Sequence, residues 1–147
     1  MNRRILPTVL VVVAVAAGTL VSGAAAAPPV VPVTTYLDDV QAGSNALQRF
    51  GAILERTESV AALRTRAGVV RTHLRRFDRH MYVLSRYRLA EPVLDRQRAR
   101  LARTAPPVTA TLSRFLDAAL SDDVAQVQRL APVVIRRINA FQRAAAG

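Results

Sequence analysis

The chain has no cysteine, no lysine and no tryptophan in its 147 residues, and aromatic side chains make up only 5% of it. Each absence closes a set of functions. Without cysteine there is no disulfide framework, no thiolate nucleophile, no cysteine-based zinc or iron–sulfur site and no lipidated thiol. Without lysine there is no Walker-type phosphate lysine and no Schiff-base chemistry. Abundant Ala and Arg with no Lys is the codon signature of a GC-rich bacterial genome, so the lysine gap says little about function. Negative charge is also scarce. Ten acidic residues face 21 basic ones, all of them arginine, for a formal charge of +11. Codon usage leaves Asp and Glu available, so the missing counter-charge carries the information.

The first residues read as an export signal. Arg3 and Arg4 follow Met1, residues 5–21 are uncharged and apolar, and small residues (Gly23, Ala24, Ala25, Ala26, Ala27) precede Pro28 and Pro29. This is the order of a secretory signal, with cleavage expected after Ala26. Pro7 stands where a twin-arginine signal carries an apolar residue, which argues against that route. The alternative is an uncleaved anchor, since 23 apolar residues suffice to span a bilayer. Either reading exports the remainder, because the arginines stay on the inner side. The expected organisation is a signal peptide over 1–26, a Pro-rich extended tether over 27–33 and a helical bundle domain over 34–147.

The remainder reads as all-α. Thr35 and Asp38 form a capping box that predicts a helix start, followed by Leu37, Val40, Ser44, Leu47, Gly51 and Leu54 at alternating spacings of three and four, with Tyr36 and Phe50 widening the stripe. The next segment is the most regular: Val60, Leu63, Ala67, Val70, Leu74, Phe77, Met81 and Leu84 occupy positions a and d of four heptads, which predicts a helix over 59–88. A slip of two residues between the stripes would rotate the apolar faces apart by about 200°. A break over 57–59 is therefore expected, with Ser59 as N-cap. Pro92 starts a third helix, Pro106 and Pro107 are expected to end it, and a fourth spans 108–120. The last apolar stripe (Val124, Val127, Ala131, Val134, Ile138, Phe141, Ala145) keeps phase across Pro132, which predicts a kink there. The resulting expectation is an up-down four-helix bundle whose third rod is broken at Pro106-Pro107 and whose last helix is kinked at Pro132. The four Phe residues fall one per stripe and read as core.

Motifs of chemistry are few. Asp38-Asp39 and Asp122-Asp123 read as first-turn acids that satisfy orphan N–H groups, Ser121 acting as a cap before the second pair. No phosphate loop or nucleophile turn is present. His73 and His80 lie two turns apart, about 10.5 Å along a helix, too far to chelate one metal. No metal site and no cofactor are expected. A carrier of haem or a similar flat anionic ligand inside the bundle is the first rival function, with His73, His80 and Tyr87 as its candidate residues beside Met81 and Tyr82. An enzyme with carboxylates and histidines converging from several helices is the second.

The charge map is uneven. Residues 64–103 hold twelve arginines against Asp78, Glu91 and Asp95, a net +9 in forty residues. The rest of the chain after the signal holds seven arginines against seven acids. Like-charge neighbours such as Arg71/Arg75 and Arg75/Arg79 cost a few tenths of a kcal/mol each, and a merely solvated face would mix signs. The expectation is an exported, non-enzymatic bundle with an anion-binding face on two consecutive helices, formed by Arg71, Arg75, Arg76, Arg79, Arg86, Arg96, Arg100 and Arg103. Arginine forks suit phosphate, sulfate and carboxylate. The expected partners are an anionic envelope polymer, lipid headgroups or an acidic protein. Nucleic acid is disfavoured, because Tyr82 alone lies among the outward arginines and no stacking platform appears.

Overall fold

The computed structural model describes residues 26–146; the export segment read over 1–26 lies outside them apart from Ala26. The described chain is all-α, with four helices and a minimal strand pair. Helix α1 spans Val33–Glu55, α2 Val60–Val83, α3 Pro92–Leu120 and α4 Val124–Ala146. A 3-10 turn over Leu84–Arg86 follows α2. Strand β1 (Val30–Val31) pairs in parallel with β2 (Arg88–Leu89), and the Arg88 N–H donates to the Pro29 carbonyl. The Pro-rich tether is thus extended, as its prolines dictate, and it is pinned to the turn between α2 and α3.

The helices pack in chain order, α1 on α2, α2 on α3 and α3 on α4. Neighbours run antiparallel: Asp39 near the start of α1 meets His80 near the end of α2, Arg71 meets Asp117, and Gln97 meets the Ala145 carbonyl. The heptad residues of α2 form the centre. Leu63, Val70, Leu74, Phe77, Met81 and Leu84 are all buried, and Phe77 meets Phe141 of α4 edge-on at 5.3 Å between ring centres. Ser59 caps α2, its hydroxyl accepting from the Ala62 N–H at 3.2 Å.

Helix α2 stops at Val83, short of the expected 88, where the chain passes through the 3-10 turn into β2. Three further expectations fail. The first concerns α1, which begins at Val33 after an extended Pro32 and has no side-chain cap, so Thr35 and Asp38 are not a capping box. Its buried residues are Tyr36, Gly43, Ala46 and Phe50, while Leu37 is exposed. The face turns because two small residues let α1 approach α2 closely. A Cβ on Gly43 would run into the Met81 side chain.

The second is the break at Pro106-Pro107. Helix α3 continues through both prolines. They remove the N–H donors that would reach the Ala102 and Arg103 carbonyls, a loss that favours a break. Buried Leu101, Ala105, Val108, Leu112 and Leu116 keep helical phase on both sides, and packing on α2 and α4 holds the rod together. Pro106 is exposed, so its ring faces out. In α4, Pro132 likewise sits inside an unbroken helix.

The third is the role of Asp39, described below. The other acidic pair divides its work. Asp123 accepts from the Gln126 N–H at 2.9 Å and caps α4, Ser121 is the C-cap of α3, and Asp122 turns the chain at φ 59°, a left-handed conformation that Asp tolerates better than most residues.

Candidate functional site

Two clusters of charge stand out, and one side-chain chain joins them. The first is a satisfied hub where α2 turns into α3. Arg98, 7% exposed, donates from Nε to Asp95 at 2.7 Å and from its terminal nitrogen to the Leu84 carbonyl, and it lies 6.0 Å over the Tyr87 ring. Asp95 also accepts from the Leu89 N–H at 2.9 Å. The Arg98 hydrogen bond is the main cause that holds its carboxyl below the ordinary range, against some burial. The hub fixes the 3-10 turn and β2 to α3. Two of its residues, Arg98 and Asp95, are structural in a stretch the sequence suggested was surplus charge.

Tyr87 carries the network onward. Its hydroxyl donates to Asp39 at 3.2 Å, and burial with the nearby Asp39 carboxylate pushes the phenol well above its usual range. The other Asp39 oxygen faces His80 Nδ1 at 3.2 Å. Asp39 therefore joins α1 to the end of α2 and to the turn beyond it; it is not a helix-capping acid. Its half-shielded position, six residues into α1, lets it face α2 where Gly43 brings the helices together.

The second cluster opens beyond His80. The His80 imidazole, held at Nδ1 by Asp39, lines the groove between α1 and α2. Two recesses share Arg49 and His73 in that groove. One, of about 370 Å³, is lined by Ala42, Asn45, Ala46, Arg76, Arg79 and His80 in addition to the shared pair. The other, of about 430 Å³, has an almost wholly apolar floor of Ala52, Ile53 and Val69, with Arg56 and Arg66 at its rim. Neither recess has a carboxylate among its lining residues. Burial, Arg76 and Arg49 all hold the His73 imidazole below its ordinary pKa, so it is neutral at neutral pH.

The eight arginines singled out from the sequence therefore divide. Arg76 and Arg79 line the α1–α2 groove. Arg71 and Arg75 line the α2–α3 seam with Asp78 and Asp117, where Arg71 pairs with Asp117 at 2.9 Å. Arg86 stacks near Tyr82 at the end of α2. Arg96, Arg100 and Arg103 are exposed along α3, away from the recesses. Sequence reasoning missed Arg49 and Arg56 on α1, because a linear charge count sets them among residues of balanced charge. On a helical wheel Arg49 and Arg56, the latter the C-cap of α1, fall on one edge of the buried Gly43, Ala46 and Phe50 stripe.

The carrier candidates divide too. His80 and Tyr87 meet on Asp39, and His73 lies in the groove. A separate apolar groove of about 710 Å³ runs between α1 and α4, lined by Leu47, Leu54, Leu112, Phe115, Ile138 and Phe141 among others, and His73, His80 and Tyr87 do not line it. Among the described residues there is no group of three His, Asp or Glu side chains able to hold a metal, and no helix is long and apolar enough to cross a membrane. Compared with known proteins, the chain matches no protein-family model, no curated protein and no solved structure.

Proposed function

We propose that this chain is an exported, non-enzymatic up-down four-helix bundle that binds an anionic surface or polymer of the cell envelope through arginine side chains, with the α1–α2 groove as the contact face. The observation that carries this reading is the placing of Arg49, Arg56, Arg66, Arg76 and Arg79 along one groove without a carboxylate in its lining. Among the described residues only Arg71, Arg88 and Arg98 lie within ion-pair distance of an acid. Clustered cations repel one another, and an anionic partner relieves that repulsion.

The test is retention on an immobilised phosphate polymer. Elution is expected at a salt concentration that falls clearly in the double variant Arg76→Glu with Arg79→Glu, because each lost contact flattens the salt dependence. Unchanged elution in that variant sinks the reading. Arg100→Glu with Arg103→Glu, on α3, is expected to shift elution less.

A second reading, an apolar-ligand carrier, draws on the α1–α4 groove. An environment-sensitive dye that brightens with the protein and is lost in Ile138→Asp supports it; no brightening removes it.

A further inference from the structure

The two recesses of the α1–α2 groove differ in chemistry while sharing two residues. The recess at His80 is polar and cationic. Its floor is made of Ala42 and Ala46, which leave the space that larger side chains would fill, and Asn45 adds a neutral amide. The recess next to it has Ala52, Ile53 and Val69 as its floor, and Val69 is 54% exposed, a large aliphatic group facing water. Arg56 and Arg66 line the same recess, and an arginine carries a three-methylene stem below its guanidinium. At membrane interfaces long cationic side chains lie with an apolar stem below and the charge in the headgroup layer. A polyanion alone has no use for an apolar floor ringed by cations. A molecule with an anionic head and an apolar tail matches both recesses at once.

We propose that the groove holds the head region of one anionic phospholipid, its phosphodiester among Arg49, Arg76, Arg79 and His80 and the first methylenes of its chain against Ile53 and Val69. This rests on the anion-binding reading above and names the class of ligand within it. A phosphodiester offers two charged oxygens to arginine forks. His80 lines the same recess while Asp39 holds its Nδ1. Asp39 is thus a positioning residue. Tyr87 holds Asp39 from the other side. His73 faces Arg49 of α1 and Arg66, Arg76 and Arg79 of its own helix. A bound phosphodiester offsets those charges and favours the protonated ring. A phosphodiester keeps its single charge from neutral pH into mild acid, so any gain in affinity on acidification belongs to the protein.

The experiment is a two-dimensional NMR titration with dihexanoyl phosphatidylglycerol below its micelle concentration. The comparison ligands are dihexanoyl phosphatidylcholine and the chainless headgroup glycerophosphoglycerol. Saturable shifts are expected at the Asn45 side chain, the Val69 amide and the His80 ring, with one ligand per protein. The chainless headgroup is expected to bind about tenfold more weakly, since burying two methylenes accounts for about one decade, and phosphatidylcholine about tenfold more weakly because its choline cation cancels the head charge that the arginines meet. Affinity for phosphatidylglycerol is expected to rise about threefold or more between pH 7.5 and pH 5.5 as His73 gains its proton against the bound anion, and His80→Asn is expected to weaken binding at both pH values. Asp39→Asn is expected to change the His80 ring shift that ligand addition produces, a readout that a merely structural role leaves in place. Arg76→Ala with Arg79→Ala is expected to lower affinity at least tenfold. Val69→Ser is expected to bring phosphatidylglycerol down to the chainless level while leaving retention on the phosphate polymer intact. All of these sites except Asp39 and His80 are exposed, and circular dichroism checks that the variants fold.

Equal binding of phosphatidylglycerol and the chainless headgroup, or no effect of Val69→Ser, overturns the lipid inference and leaves the anion-binding reading standing. Binding of phosphatidylcholine as tight as phosphatidylglycerol overturns it as well, because the head charge then plays no part. If Arg76→Glu with Arg79→Glu also leaves polymer retention unchanged, the broader reading falls with it.

Discussion

Arg98 and Arg76 carry the same guanidinium, fewer than thirty residues apart, and the structure treats them in opposite ways. Arg98 is buried in the hub, bonded to Asp95 and to the Leu84 carbonyl and stacked over Tyr87. Arg76 lines an open groove with Arg49, Arg79 and two histidines and has no carboxylate within ion-pair distance among the described residues. The hub uses its charge for folding, because a buried cation without partners is intolerable, and Arg98 has a carboxylate on Nε and a carbonyl on a terminal nitrogen. The groove holds cations that cost folding a little and gain nothing from it. What separates the two is counter-charge and burial, and residue type alone cannot distinguish them.

The comparison is sharpest where removing a side chain does most damage. Arg98→Ala leaves Asp95 without its main partner and the Leu84 carbonyl without its donor, and is expected to destabilise the protein by about 3–5 kcal/mol in urea unfolding. Arg76→Ala in the same assay is expected to stay within about 0.5 kcal/mol of the parent. A cost for Arg76→Ala as large as that for Arg98→Ala would erase the distinction between the two regions. The core that carries both gives a reference of equal size: Phe77→Ala, at a fully buried ring against Phe141, is expected to cost about 3–5 kcal/mol.

A smaller effect is expected where α1 meets α2. Gly43→Leu forces the Met81 side chain aside and is expected to cost about 1–3 kcal/mol by overpacking. Gly43→Ala meets only the flexible end of Met81 and should cost less. Because Gly43 sets the helix separation that defines the groove, Gly43→Leu should also perturb the His80 ring signal. An unmoved His80 signal would show that the groove does not depend on that approach.

The mildest effects are those of pH, and they differ between the two regions in sign and window. The Asp95 carboxyl titrates low in the folded chain, so its contribution to stability is present above the ordinary aspartate value and is lost as pH falls below about 4. The Tyr87 phenol titrates high, so its contribution is present below pH 10 and is lost as pH rises beyond it. The His73 imidazole titrates low because burial and two arginines oppose its charge, so stability declines as pH falls below about 6.5, where the unfolded chain takes up a proton first. The hub therefore loses stability only at the pH extremes, and the groove loses it in mild acid. A saturating anion is expected to cancel the mild-acid decline, measured as the pH dependence of the unfolding midpoint with and without inorganic phosphodiester polymer. Persistence of the full decline in its presence would separate His73 from the anion site.

Much of this fold was legible. The heptad stripe of α2 has a period that only a helix satisfies, and its large aliphatic residues are the ones that ended in the core. Ser59, Pro92 and the break before α2 follow from local hydrogen-bonding chemistry. Where reading failed, the deciding partner lay on another helix. Pro106 and Pro107 look like a stop when each is weighed alone; the phase kept by Leu101, Ala105, Val108 and Leu112 was the available sign of continuity. Gly43 and Ala46 carry little hydrophobic signal, so the buried face of α1 was placed on its larger neighbours.

The missing counter-charge that marks this sequence also has a local and a tertiary part. The sequence by itself determined the composition, the helices and the excess of arginine over acid, because periodicity, capping chemistry and charge are properties of neighbours along the chain. Only the tertiary structure decided which arginines face an acid. It brought Asp39 to His80 and Tyr87 across more than forty residues, gave Asp117 to Arg71, and set Arg49 and Arg56 beside Arg66, Arg76 and Arg79 of α2. Electrostatic interaction depends on distance and burial, and neither is written in the order of the residues.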